Sequence, residues 1–107
     1  MKTKRAKACD ITQAVKKIVW ERDEQRCIVC WDTNAMPNAH FIPRSHGGLG
    51  VEQNIVTLCQ YCHRAYDQSP KRPTYQAYIR NYLKEKYGKG WNEKKLIYKK
   101  WEQERND

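Results

Sequence analysis

The stretch that decides the fold is residues 27–67, CIVCWDTNAMPNAHFIPRSHGGLGVEQNIVTLCQYCHRAYD, which begins with one Cys-x-x-Cys pair and carries a second near its end. Two residues between thiols let both sulfurs reach one metal ion at about 2.3 Å, and two pairs complete a tetrahedral site. The spacing therefore predicts a structural zinc site, with the ligands Cys27, Cys30, Cys59 and Cys62. A reducing compartment disfavours disulfides between them, and iron bound by four thiolates ranks below zinc.

Between and after the cysteine pairs, the sequence predicts two short strands followed by a short helix. One strand is expected near residues 38–42 and a second over 54–58, which is rich in β-branched residues. The loop between them contains Gly47 and Gly48, which have access to positive φ. A helix then follows the second cysteine pair and is expected to end near Asp67.

The N-terminal side is expected to hold a basic tail and one helix. Residues 1–9 predict a tail, in which Cys9 is a free thiol with no role. A helix is predicted over 11–24, where apolar residues recur at helical spacing. Asp10 is its expected cap, with Gln13 three residues on as in a capping box.

The C-terminal side predicts two further helices after a proline-containing linker. The first spans residues 74–87 and stops at Gly88. The second is capped by Asn92 and continues to Trp101. Aromatic side chains lie among the cations of this half: Tyr75, Tyr78, Tyr82, Trp91, Tyr98 and Trp101. Their helical spacing favours packing onto the zinc core, with a DNA-binding face as the alternative.

The charge of the chain favours a polyanionic partner. Its net charge is +9, and it is unevenly spread, because residues 1–30 carry +4, residues 31–70 carry −1 and residues 71–107 carry +6. Two basic wings that flank a nearly neutral centre are typical of nucleic-acid-binding proteins. A solvated surface that aids solubility is the alternative interpretation.

No segment has the composition of a membrane span or a secretory signal. The longest apolar run covers only residues 27–31, against about 20 residues for a spanning helix. The basic start of the chain is not followed by an apolar stretch. We therefore expect a cytoplasmic protein with no membrane partner.

The residues between the cysteine pairs resemble the HNH, or ββα-metal, endonuclease family. The resemblance rests on a His three residues before a Pro, a Gly-Gly loop, an Asn, and Leu-Cys-x-x-Cys-His. This chain supplies these parts in order, as His40, Pro43, Gly47-Gly48, Asn54 and residues 58–63. Small HNH proteins of this kind are often encoded by phages and prophages, which implies a bacterial host cell.

The resemblance implies a role for each of these residues in cutting DNA. His40 matches the general base, and a neutral imidazole suits that role near pH 7. His63 matches a ligand of a catalytic divalent cation, Mg²⁺ or Mn²⁺. Asn54 matches the residue that ties down the loop beside the base. Arg44 and His46, in that loop, are expected to contact DNA phosphates.

One position departs from the family pattern. The residue before the base is usually Asp or His and binds the metal, but here it is Ala39. We expect Asp67 to replace it, because it lies four residues after His63 and shares its helix face. Alternatively the chain is a catalytically weak or inactive zinc-bound module that binds nucleic acid as an adaptor, for example among phage packaging proteins.

These expectations together define the fold class. The sequence predicts an α+β domain in which a small zinc-stapled ββα-metal core, also called a His-Me finger, carries an N-terminal helix and two C-terminal helices. Along the chain this gives a basic tail (1–9), an HNH core with the zinc site (10–69) and a basic helical extension (70–107). Oligomeric state, cleavage site and strand preference are not expressed in the sequence.

Overall fold

The computed structural model of the chain describes residues 2–99, and within them it has six regular elements. In order these are α1 (Lys4–Cys9), α2 (Gln13–Arg22), β1 (Ala35–His40), β2 (Ile55–Cys59), α3 (Gln60–Gln68) and α4 (Arg72–Tyr87). The predicted α+β class and the ββα order are confirmed. Each central element is displaced by one to three residues from its predicted bounds, which is the ordinary uncertainty at element ends.

The two strands form an antiparallel pair that carries the base candidate at its end. His40 pairs with Ile55 and Ala39 with Val56. The register shifts between Met36 and Ala39, where the first strand contains one residue more than the second. Pro37 lies in this bulge and has no N–H to donate to the ladder. All five residues of β2 are buried, so this strand forms the centre of the core.

One hydrophobic core joins the cysteine-rich region to the helix that follows it. Ile79 and Leu83 of α4 are fully buried in the same hydrophobic cluster as residues of both strands. Trp91 packs on Phe41 with a ring-centroid distance of 5.7 Å. The C-terminal extension therefore shares the core of the rest of the chain, at least as far as residue 99.

A buried ion pair fastens α2 to the sheet and to α4. Arg22 contacts the Asp23 carboxylate at 2.7 Å, and the side chain of Asp23 is fully buried. Asp23 also accepts hydrogen bonds from the Thr57 backbone N–H (2.8 Å) and the Tyr82 hydroxyl (2.6 Å). A buried carboxylate needs partners of this kind, because an unpaired one would be strongly destabilising.

Two N-terminal expectations are wrong. Residues 4–9 form helix α1 rather than a tail without structure, and Cys9 at its end is 2% exposed. The cap of α2 is Thr12, whose hydroxyl accepts from the Val15 N–H at 3.2 Å, and not Asp10. Asp10 instead pairs with two cations, Lys2 and Arg44.

The C-terminal expectations are confirmed for the first helix only. α4 ends at Gly88, which has a φ of +70°. Asn92 caps as expected, but it starts a single 3-10 turn, Glu93–Leu96, and not a full helix within the described residues. The predicted position of Trp101 lies outside those residues.

Over the described part of the chain, no helix combines the length and apolar character needed to cross a bilayer.

Most of the aromatic side chains of the C-terminal half pack against the protein core, as their helical spacing predicts. Tyr75 and Tyr82 are partly buried against the core, and Trp91 is 7% exposed. Tyr78 is 45% exposed, but its hydroxyl donates to the Ile28 carbonyl at 2.9 Å. Most of these rings therefore face the protein and are not free to stack on nucleobases.

Candidate active site and metal centre

The four cysteines of the two pairs come together at one end of the sheet. Each of their sulfur atoms lies within 4.8 Å of the other three, in the set Cys27, Cys30, Cys59 and Cys62. Four sulfurs bound to one tetrahedral ion at about 2.3 Å would be about 3.8 Å apart. The cluster therefore has the dimensions and donor atoms of a site for one thiophilic cation.

The electrostatics of the cluster also suit a cation. Burial, followed by the contact with Cys59, raises the pKa of the Cys62 thiol. For Cys27, burial is outweighed by backbone hydrogen bonds, those of Cys30 and Cys59 first, and the pKa is lowered. Buried thiolates need a compensating positive charge, which a bound metal ion provides.

A second site lies between the end of β1, the loop that follows it and α3. A cleft of about 340 Å³ is lined by Asn38, His40, Pro43, Arg44, Ser45, His63 and Asp67. His40 ends β1, His63 lies in the first turn of α3, and Asp67 follows one helical turn later. The ββα arrangement therefore brings residues that are 27 positions apart in the sequence into one cleft.

His40 is half-buried and held by the N-terminal segment. Its Nε2 lies 2.9 Å from the backbone carbonyl oxygen of Cys9. Burial lowers the pKa of His40, the hydrogen bond to Cys9 opposes that effect, and the positive charge of Arg44 adds to it. The net lowering favours a neutral imidazole at pH 7, the form that can accept a proton.

His63 and Asp67 form a pair of potential metal ligands. The Nε2 atom of His63 lies 3.4 Å from the Asp67 carboxylate, and both side chains are partly exposed to the cleft. Asn38 lines the cleft beside them, and its Oδ1 is buried with no hydrogen-bond partner among the described residues. Carboxylate and imidazole groups are ligands of divalent cations, so His63 and Asp67 fit a hydrated cation in this cleft.

Asn54 fixes the loop that joins the strands. It is fully buried, and its Oδ1 accepts from the Ile42 N–H at 2.8 Å. Its Nδ2 donates to the carbonyls of Ile42 (3.2 Å) and Leu49 (2.9 Å). Three bonds from one amide close the loop directly after His40.

Comparison with known proteins agrees with this arrangement. A family model described as HNH endonuclease matches residues 27–69. A protein named anaredoxin from Nostoc sp. (strain PCC 7120 / SAG 25.82 / UTEX 2576) is 42% identical over 52 residues, which are 48% of this chain and 68% of that protein.

The chain belongs to the HNH endonuclease family. No solved structure matches it. Membership rests on the pattern of residues around the cysteines, and the match ends at residue 69, before α4.

Ala39, where the chain departs from the HNH pattern, lies in the core and not in the cleft. Ala39 is fully buried and belongs to the hydrophobic core, so it does not line the cleft. Asn38, the preceding residue, lines the cleft instead. The bulge that displaces the first strand lies directly before these residues, and sequence patterning alone does not reveal it.

The two residues predicted to contact DNA are placed differently. Arg44 lines the cleft, but its guanidinium pairs with Asp10 at 2.7 Å and donates to the Ala6 carbonyl at 3.3 Å. His46 is exposed and does not line the cleft. Arg44 is therefore the better placed of the two to meet a phosphate in the cleft.

Three features of the site were missed by sequence reasoning. The Cys9 carbonyl comes from the segment expected to be a tail, the Asp10 carboxylate from the residue expected to cap a helix, and Asn38 belongs to no family motif. The first two are contacts across more than 30 residues, so no local pattern could have revealed them. Asn38 was detectable only as a polar residue two positions before the base candidate.

Proposed function

We propose that the chain is a metal-dependent endonuclease that hydrolyses phosphodiester bonds in DNA, by nicking or by double-strand cleavage. The observation that carries the proposal is the single cleft that contains His40, His63 and Asp67. Hydrolysis of a phosphodiester needs a group that removes a proton from water and a positive charge close to the phosphate. In this cleft His40 can act as the base, and His63 and Asp67 could bind a cation that supplies the positive charge.

His40 serves as the general base. Its lowered pKa keeps the ring neutral at pH 7, so that it can take a proton from the water that attacks phosphorus. Asn54 keeps the following loop, and with it the end of β1, in a fixed position. A fixed base is more effective because its orientation costs no further entropy during the reaction.

His63 and Asp67 would hold a divalent cation such as Mg²⁺ or Mn²⁺. When bound there, it would neutralise charge on the phosphate and the leaving oxygen. Asn38 also lines the cleft, and its side-chain amide could bind a water of the hydration shell. Mg²⁺ usually keeps several waters, so two protein ligands and a polar lining suit it.

At the four cysteines we infer a structural zinc. Four cysteine ligands without an open position are typical of zinc sites that stabilise small domains, and the four sulfurs here lie within 4.8 Å of one another. A chain of this size has a thin core, so the metal would contribute much of its stability. Because none of the four cysteines lines the cleft, the cysteine site can support the cleft without entering the reaction.

A basic groove next to the cleft supports DNA as the substrate. It measures about 240 Å³, is lined by Thr3, Arg5, Ala6, Cys9 and Arg44, and shares Arg44 with the cleft. Guanidinium groups bind phosphates well, and Arg5, whose Nη2 donates to the Ser45 carbonyl, lines this groove. A DNA backbone that crosses the cleft could continue along this groove.

The test is nicking of supercoiled plasmid by the full chain after zinc loading. We expect conversion to open-circular DNA with Mg²⁺, Mn²⁺ or Ni²⁺, and products with 5′-phosphate and 3′-hydroxyl ends. A folded, zinc-loaded chain that cleaves with none of these metals, yet binds DNA in a salt-sensitive way, would instead support the inactive adaptor. Action in the cytoplasm of a bacterial host, phage origin and packaging partners stay predictions.

Electron transfer is a second candidate, favoured by one observation. The name of the relative from Nostoc sp. carries the ending of redox carriers, and four thiolates can also bind iron. Metal analysis of the chain as isolated separates the two functions. One zinc and a colourless protein would support the nuclease, whereas bound iron with reversible visible absorption would support the redox carrier.

A further inference from the structure

We propose that the C-terminal end of α1 is a positioning element of the active site, in which the Cys9 carbonyl holds the His40 ring in a single tautomer. The catalytic consequence rests on the proposed nuclease function, but the positioning itself does not. α1 lies outside the residues that match the HNH family, so the match does not supply this contact.

The ends of helices leave backbone groups that need partners outside the helix. The last four carbonyls of a helix have no helical N–H to accept from. In α1, the Cys9 carbonyl meets the His40 Nε2 at 2.9 Å, and the Ala8 carbonyl accepts from the Gly50 N–H at 2.9 Å. The two carbonyls before them accept from the backbone N–H of Asp10. His40 is thus the hydrogen-bond partner of the last carbonyl of this helix.

This contact decides which nitrogen of His40 can act as a base. A carbonyl oxygen can only accept a hydrogen bond, so the Nε2 that faces it must carry the proton. In the neutral ring the lone pair is then on Nδ1. Without the Cys9 carbonyl, the two tautomers would compete, and part of the population would present an N–H where a proton acceptor is needed.

Gly50 is the residue that allows α1 to come this close. A Cβ added at Gly50 would overlap the Asp10 carbonyl oxygen and would lie 2.9 Å from the Cys9 carbonyl oxygen. Gly50 is not among the glycines with positive φ, so the requirement for glycine here is one of space. Any side chain at this position must move the end of α1 away from the loop.

Side chains fasten the same helix to the loop after His40. Arg44 pairs with Asp10 at 2.7 Å and donates to the Ala6 carbonyl at 3.3 Å. Arg5 donates to the Ser45 carbonyl at 3.2 Å. These contacts tie α1 to the loop that follows His40, so the helix end that contacts the ring is itself held in place.

The experiment compares the full, zinc-loaded chain with Gly50→Ala and with Gly90→Ala. Gly90 is the matched control, because a Cβ there would meet nothing within 4 Å. The readout is the ¹⁵N spectrum of the imidazoles above pH 7.5, without DNA or added divalent metal, with His40 assigned from a His40→Gln spectrum. Zinc content and circular dichroism report folding.

In the unsubstituted chain and in Gly90→Ala we expect His40 as the pure Nε2–H tautomer. In Gly50→Ala we expect both tautomers, and single-turnover nicking slowed by about 10²-fold at saturating DNA. An Nδ1–H tautomer in the unsubstituted chain, or a folded Gly50→Ala that keeps the pure Nε2–H form, would overturn the proposal. If Gly50→Ala does not fold, the spectrum of the unsubstituted chain still tests which nitrogen of His40 carries the proton. If that chain shows the expected tautomer but never cleaves DNA, only the nuclease function is refuted.

Discussion

The side-chain amide of Asn54 bridges both backbone groups of Ile42: its Oδ1 accepts from the N–H at 2.8 Å, and its Nδ2 donates to the carbonyl at 3.2 Å. Ile42 is two residues after His40, so this bridge fixes the chain just beyond the proposed base. An amide is the side chain that offers one acceptor and two donors in a single plane.

Asn54→Asp is expected to destabilise the fold and to slow cleavage. A carboxylate cannot donate to the carbonyls of Ile42 and Leu49, and it would place buried negative charge against both. We expect the free energy of unfolding to fall by about 2 kcal/mol or more, as measured by urea denaturation of the zinc-loaded chain. The same change at exposed Asn81 is the control, and equal losses in the two variants would refute the role of the bridge.

The cleavage rate is expected to fall at acid pH, because protonated His40 cannot act as the base. Burial and the charge of Arg44 lower the pKa of His40 below its ordinary value of 6.5, despite the bond to Cys9. Because the neutral form is the active one, the rate should rise with pH, with a midpoint below about 6.5, and then level off. The measurement is the single-turnover nicking rate against pH at constant ionic strength. A midpoint clearly above 6.5 would contradict the burial of this imidazole.

Removing the metal from the cysteine site is expected to unfold the chain. Binding energies of structural zinc are about 10–16 kcal/mol, more than a small core provides, so Cys59→Ser should lose both zinc and cooperative melting. Cys9→Ala is the control, because Cys9 is buried but does not belong to the cluster. Elemental analysis and thermal melting are the measurements. Full zinc content in Cys59→Ser would show that the sulfurs do not act as one site.

Asp67→Asn is expected to weaken binding of the catalytic cation without changing zinc content. Asp67 is exposed and lies 3.4 Å from His63, so the substitution should affect the cleft but not the core. Titration with Mn²⁺, followed by electron paramagnetic resonance, would measure the affinity. We expect it to fall about tenfold or more, while Asp32→Asn, outside the cleft, keeps the original affinity. Unchanged affinity in Asp67→Asn would remove this residue from the site.

Arg5→Gln is expected to reduce the salt dependence of DNA binding. If Arg5 contacts one phosphate in the groove beside the cleft, its loss should lower the slope of log K against log salt by about 1. Lys84 is an exposed residue of α4 outside both cavities, so Lys84→Gln removes the same charge as a control. Fluorescence anisotropy with a labelled duplex gives both slopes. Equal slopes for the two variants would mean that the groove binds no phosphate.

The sequence predicted those parts of the site that depend on spacing. The two cysteine pairs converge because each pair forms a local turn and both flank the same strand pair. His63 and Asp67 share a helix face because four residues separate them. The helix that ends at Gly88 was predictable from its apolar spacing and its stop residue. All of these are local patterns with a fixed geometric consequence.

The parts that were not predicted depend on contacts between distant segments. The sequence of α1, KRAKAC, has no apolar periodicity, so its helix forms where the loop after His40 supplies partners. The burial of Ala39 follows from packing around the bulged strand. Asp10 is a residue type that often caps helices, but its carboxylate pairs with Arg44 and Thr12 caps α2.

The measurement that bears most directly on the nuclease function is plasmid nicking by His40→Gly with and without added imidazole. We expect the rate to fall by at least about 10²-fold, with zinc content, folding and DNA affinity retained, and to be partly restored by imidazole in solution. His46→Gly, which changes an exposed histidine outside the cleft, should nick like the unsubstituted chain. Nicking by His40→Gly at the rate of the unsubstituted chain would show that this imidazole is not the base.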